Sequence, residues 1–144
     1  MKLGFTGTQI GMTPLQLLSV AQFIAHNQVT DSHSGDCIGA DKDFYDLITL
    51  ANKNKNFQRI CRFGHVPVND SKRAFCAYDV ERKALPYLDR NHNIVDECDF
   101  LIATPKEKEE QLRSGTWATI RYAKKTKKKG MIVFPDGSVE NFNQ

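Results

Sequence analysis

The sequence has no Cys-x-x-Cys pair, no apolar run approaching the ~20 residues of a membrane span, a single tryptophan and little net charge. Each shortage removes a class of function. Cys37, Cys61, Cys76 and Cys98, like His26, His33, His65 and His92, are scattered, whereas zinc and dithiol motifs show close paired spacing. No metal and no resident cofactor are expected, and the thiols read as reduced. Met1-Lys2 leads straight into strand-like Leu3-Gly4-Phe5-Thr6, without the apolar stretch and cleavage site of a secretory signal. The expected location is cytoplasmic, with no membrane partner.

The formal charge of +3 is mild, and much of the excess is the run from Lys124 to Lys129. Cations there offset the negative end of a helix dipole. Nucleic acid is therefore the less favoured partner, since basic and aromatic residues do not interleave along a strand path.

What is present is alternation. Strand-like and helix-like segments follow one another through 144 residues without repeats or low-complexity tracts, a length that suits one domain. The first strand is expected over Lys2 to Thr6. Thr13 and Pro14 read as N-cap and first position of a helix to His26, with Leu15, Leu18, Ala21, Ile24 and Ala25 as its core stripe. Further strands are expected over Gln28–His33, Gln58–Phe63, Asp99–Thr104 and Met131–Phe134, and a helix carrying Phe44, Leu47, Ile48 and Ala51 follows the second. A short helix near Pro86 carries Leu88, Ile94 and Val95, and a longer one runs from Gly115 to Lys127 with Trp117 and Ile120 inward. The fold class expected is α/β: one Rossmann-like three-layer domain with a mainly parallel sheet of about five strands.

Ligands of such sheets sit beyond the C-terminal strand ends. Three stretches fall on that edge: GFTGTQIGMT from Gly4, SGDCIGAD from Ser34, and RSGTWATIRYA from Arg113. A helix N-terminus exposes unpaired N–H groups and partial positive charge, and glycine lets an oxyanion approach. Any one of these loops is equally a tight turn or an N-cap, but three on one edge point to a single phosphate-containing ligand. The candidate donors are Gly7, Thr8, Gln9, Gly35, Gly39, Ser114, Gly115 and Thr116. Asp36 and Asp41 repel phosphate and are assigned to ribose hydroxyls, Asp41 alternatively to the helix dipole. Arg90 offers a fork that suits phosphate, Asn91 both donates and accepts, and Arg73 and Arg113 are secondary candidates. His65 is expected to border the base.

GFTGTQIGMT, SGDCIGAD, YLDRNHNIVDECDFLIATP, RSGTWATIRYA and MIVFPDG, in that order, resemble the SLOG superfamily of Rossmann-like nucleotide-binding proteins. The resemblance covers nearly the whole chain apart from Asn52 to Glu81. The superfamily includes the Lonely Guy phosphoribohydrolases, the DNA-processing proteins and sensor domains for nucleotide-derived signals, so the resemblance implies a fold and a pocket rather than one activity. Lonely Guy enzymes carry Pro-Gly-Gly-x-Gly-Thr-x-x-Glu; Gly115 and Thr116 match, Arg90 matches their arginine, and Thr119 stands where their catalytic glutamate would be. A carboxylate stabilises the oxocarbenium-like charge of base departure and threonine does not.

The function expected is binding of a nucleotide or nucleotide-derived signalling molecule, by way of sensing or sequestration. The alternatives are nucleotide N-glycosidic hydrolysis and single-stranded DNA binding. The resemblance also implies a homodimer or higher oligomer, with Trp117 or Tyr122 near a partner's pocket.

Overall fold

The computed structural model describes all residues, Met1 to Gln144. Its elements are β1 (Lys2–Gly7), α1 (Pro14–His26), β2 (Asp31–Ser34), α2 (Ala40–Asn52), β3 (Cys61–Gly64), a 3-10 turn (Asp70–Lys72), β4 (Val80–Glu81), α3 (Tyr87–Glu97), β5 (Phe100–Thr104), α4 (Gly115–Lys125), β6 (Lys129–Val133) and β7 (Val139–Phe142). They form one sheet in the order β4-β3-β2-β1-β5-β6-β7. Six strands run parallel, and β7 returns antiparallel along β6.

The sheet has seven strands, two more than the sequence suggests. β4 is a two-residue strand with no periodicity to detect, and β7 is exposed except for Phe142, with Glu140 and Asn141 interrupting any apolar run. No helix is long and apolar enough to cross a membrane.

Alternation along the central strands separates two cores. Leu3, Phe5, Ile102, Met131 and Val133 face α1 and α2, where Phe5 stacks on Phe44 with centroids 4.4 Å apart. Leu101, Ala103 and Ile132 face α3 and α4 and meet Ile94, Val95, Trp117 and Ile120. The result is three layers, helix pair, sheet, helix pair.

Helix α1 begins as its local chemistry dictates. Thr13 and Gln16 form a reciprocal capping box around Pro14. Its inward stripe, however, is Gln16, Val20 and Ile24, while Leu15, Leu18 and Ala25 are exposed. Gln16 takes the inward place because its amide donates to the carbonyls of Pro105 and Val133, both at 2.9 Å, joining the ends of β5 and β6. Leu88 is likewise outward on α3, which buries Arg90, Ile94 and Val95 instead.

The strand order reverses at β1, whose neighbours β2 and β5 lead to helices on opposite faces. A crevice opens at such a point.

Candidate functional site

The crevice is a cavity of about 1120 Å³ above the C-terminal ends of β1 and β5, and only 6 of its 24 lining residues are hydrophobic. Thr8 organises its floor. Its N–H donates to the Thr104 carbonyl at the end of β5 (3.2 Å), and its carbonyl accepts from Ala40 N at the start of α2 (2.9 Å). Gly39 completes this junction. With φ at +87° and the Gln9 carbonyl directly against it, the position excludes any Cβ, so the turns after β1 and β2 interlock.

The opposite wall is the N-terminus of α4. Ser114 accepts from Trp117 N at 3.2 Å, while the amides of Gly115 and Thr116 precede the helix's own bonds. Nothing lies within 4 Å of a Cβ built on Gly115, so these donors border open space.

Arg90 crosses beneath the floor. Its Nη1 donates to the carbonyls of Gly35 and His65, and its Nη2 to the Cys37 sulfur. Its Nε has no partner although the residue is 5% exposed, and no carboxylate forms an ion pair with it. Asp41 stands beside it, with Oδ2 accepting from Cys37 N at 3.1 Å. Burial pushes the Asp41 carboxyl up to about 6, against the opposing pull of the Arg90 charge and of backbone donors.

Of the residues expected from the sequence, Gly7, Thr8, Gln9, Asp41, Arg90, Asn91, Ser114, Gly115 and Thr116 line the cavity together. Gly35, Asp36, Gly39, His65 and Thr119 do not. Gly35 is covered by the Arg90 guanidinium, and Gly39 lies under Gln9. The Thr119 hydroxyl donates to the Gly115 carbonyl at 2.9 Å inside α4.

Asp36 is fully buried and already saturated. Its carboxylate accepts from Arg73 Nε at 2.7 Å, Cys76 N at 3.0 Å and Tyr78 Oη at 3.3 Å. It holds these bonds from a left-handed backbone, φ 58°. Its role is to fasten the irregular segment before β4, and this also withdraws Arg73 from the cavity. The His65 ring points away from the cavity and bonds His33, with Nε2 and Nδ1 2.9 Å apart. Burial, reinforced by the neighbouring His33 and Arg82, drives His65 down to about 3, so this ring stays neutral.

Trp117 is a core residue, 4% exposed, and its indole donates to Glu107; Tyr122 stacks on His92 and donates to Asp96.

The sequence reading missed Asn69, Ser71, Lys72, Tyr87 and Lys106 on the cavity wall. Lys72 arrives through the segment fastened by Asp36, in the part of the chain without motif or period. At the mouth, Glu110 is paired with Arg121, and Lys72, Lys106 and Arg113, which carry no ion pair, outnumber Glu107, whose one side-chain hydrogen bond is from the neutral indole of Trp117. The free charge around the opening is positive.

No protein-family model matches the chain, and comparison with curated proteins finds no match. Among solved structures, the chain is similar to the molybdenum cofactor binding protein from the phototrophic bacterium Rippkaea orientalis, with 21% identity over 92% of this chain and 76% of that one. The TM-score of 0.65 shows a shared fold.

Proposed function

We propose that this chain is a SLOG-like binder of a nucleotide or nucleotide-derived small molecule, which it senses or sequesters in the cavity between β1, α2, α3 and α4. The observation that carries this reading is Arg90: a buried guanidinium with an unpartnered Nε and no ion-paired carboxylate, on the wall of a polar cavity. Such a group calls for an anion. Phosphate oxygens would lie between Arg90, the loop at Gly7 and Thr8, and the free amides of Gly115 and Thr116. Asp41 and Asn91 are the hydrogen-bonding groups nearest for a sugar. The cavity, about 1120 Å³, is somewhat larger than ordinary ligand sites of ~300–1,000 Å³ and accommodates a nucleotide. The fold neighbour's binding of a molybdenum cofactor supports a small-molecule role for this architecture and adds that compound to the ligands worth testing.

A second reading, hydrolysis of the N-glycosidic bond, is favoured by one observation. Asp41 places a buried carboxyl beside Arg90 in the cavity wall, although Thr119 is not a carboxylate and faces its own helix. As a carboxylate, Asp41 would stabilise positive charge developing on the sugar.

Both readings are tested by incubating the pure protein with nucleoside mono- and dinucleotides and the molybdenum cofactor, then identifying retained and released species by mass spectrometry. Saturable retention of an intact phosphate-bearing compound is the expected result, and released base assigns hydrolysis. Retention of none of these compounds overturns the proposal.

A further inference from the structure

Behind the cavity floor, on the sheet face covered by α3, two histidines from adjacent parallel strands meet a glutamate from the end of α3. His33 lies in β2, His65 follows β3 directly, and Glu97 closes α3. One nitrogen of each imidazole and one Glu97 oxygen all lie within 4.8 Å of one another. The edges shown directly are 2.9 Å between His33 Nδ1 and His65 Nε2, and 4.0 Å between His65 Nδ1 and Glu97 Oε2.

The hydrogen bonding of this cluster is incomplete. His33 is 3% and His65 2% exposed, yet His33 Nε2 and His65 Nδ1 have no partner. A buried imidazole pair satisfied by its own hydrogen bond would still leave one donor and one acceptor stranded, an arrangement native interiors avoid. A metal ion in place of that hydrogen bond takes a lone pair from each facing nitrogen, so no acceptor is stranded and both outer nitrogens become N–H donors, of which His65 Nδ1 faces Glu97 Oε2 at 4.0 Å.

The surroundings are those of a ligand set held in place. The His33 ring stacks on Phe63 at 4.6 Å between centroids, and Arg82 lies over the other part of that stack, 5.0 Å from the Phe63 centroid. Arg82 also donates to Glu97 Oε1 at 2.8 Å, which orients the carboxylate and leaves Oε2 towards His65. The Arg82 charge opposes a cation, and its pairing with Oε1 offsets much of that opposition. Arg90 reaches the same cluster from the cavity side by donating to the His65 carbonyl at 3.2 Å.

We propose that His33, His65 and Glu97 form a binding site for one divalent transition-metal ion of the zinc class. Two nitrogens and a carboxylate oxygen suit such an ion and leave a fourth position for water. Ligand atoms about 2.1 Å from a tetrahedral ion stand roughly 3.4 Å apart, a spacing between the two edges given above. An ion takes only one His65 nitrogen, so His33 or Glu97 must rotate towards the other. Glu97, with a side chain 33% exposed, has the room. The site would brace the end of β3 from which the His65 carbonyl meets Arg90, without itself entering the cavity.

The test uses metal alone and no cavity ligand, so its outcome is separate from the nucleotide reading. Chelator-treated protein is titrated with cobalt(II) and zinc(II), reading visible d–d absorption, bound metal per chain after dialysis, and melting temperature. One cobalt per chain with the absorption of a four-coordinate nitrogen and oxygen site is expected, with zinc raising the melting temperature. Glu97→Gln, at a partly exposed position, should keep the fold by circular dichroism and weaken affinity at least tenfold; His33→Gln should abolish uptake. Substoichiometric uptake, unchanged affinity in Glu97→Gln, or an intense sulfur-to-cobalt band indicating Cys61 or Cys76 would each overturn the assignment.

Discussion

The Arg90 guanidinium donates to the Gly35 carbonyl, so a side chain from α3 secures the turn that follows β2. The same group also serves the His65 carbonyl after β3. Gly35 is what permits this contact, because a Cβ there would occupy the place of the guanidinium.

Arg90→Lys is expected to reduce stability and binding together. One ammonium cannot reproduce a planar fork that serves two carbonyls and the Cys37 sulfur and, in the proposed role, an anion as well. We expect a loss of about 1–3 kcal/mol in urea denaturation, and at least tenfold weaker retention of nucleotide phosphates by calorimetry. Wild-type values in both measurements would remove Arg90 from the site.

Gly115→Leu separates binding from folding. The new side chain meets no protein atom at its Cβ, so stability should change by no more than about 0.5 kcal/mol. It would stand over the amides of Gly115 and Thr116 and abolish ligand retention. Undiminished affinity in this variant would show that the ligand sits elsewhere.

Asp41 imposes a pH dependence of definite sign. Its carboxyl titrates near 6 in the folded chain against an ordinary value of 3.8, so between these the native state holds a proton that the unfolded state has released. The contribution of this group to stability is therefore complete below about pH 4 and lost as pH rises through 6, on the order of 3 kcal/mol in all. Asp41→Asn should flatten that part of the curve, measured as urea unfolding free energy from pH 4 to 7.5. Equal slopes in the two proteins would contradict the account of Asp41 burial.

Asp36→Asn should loosen the segment from His65 to Val80 while leaving the central sheet intact. It removes the charge that balances Arg73 in a buried pair, at a cost of roughly 3–5 kcal/mol. Amide exchange should accelerate most at Cys76, whose N–H donates to the Asp36 side chain, and next at Ala74, whose N–H donates to the Asp36 main-chain carbonyl. Exchange that is uniform along the chain would indicate a different anchor for this segment.

What was legible in the sequence was local. Thr13, Pro14 and Gln16 define the start of α1 within four positions, and Ser114 with Gly115 define the start of α4 in the same way. The apolar runs of β5 and β6 needed no tertiary information either. The inward turn of Gln16 did, because its partners Pro105 and Val133 come from strands 89 and 117 residues away. The same applies to the site. The glycine loops show in the sequence, but Asp36 is taken from the cavity by Arg73, 37 residues on, and His65 by His33, 32 residues back. The resemblance to SLOG proteins placed the loops in order but left the segment before β4 blank, which is where Lys72 enters the wall.

The two outermost strands differ in kind from those inside. β4 offers only Val80 and Glu81, and β7 runs against its neighbour with Glu140 at its centre. A foreign extended peptide zipping onto the β4 rim would gain only a bond or two, and on β7 it would meet the exposed charge of Glu140. Fibrous growth by lateral stacking is thus disfavoured from both rims.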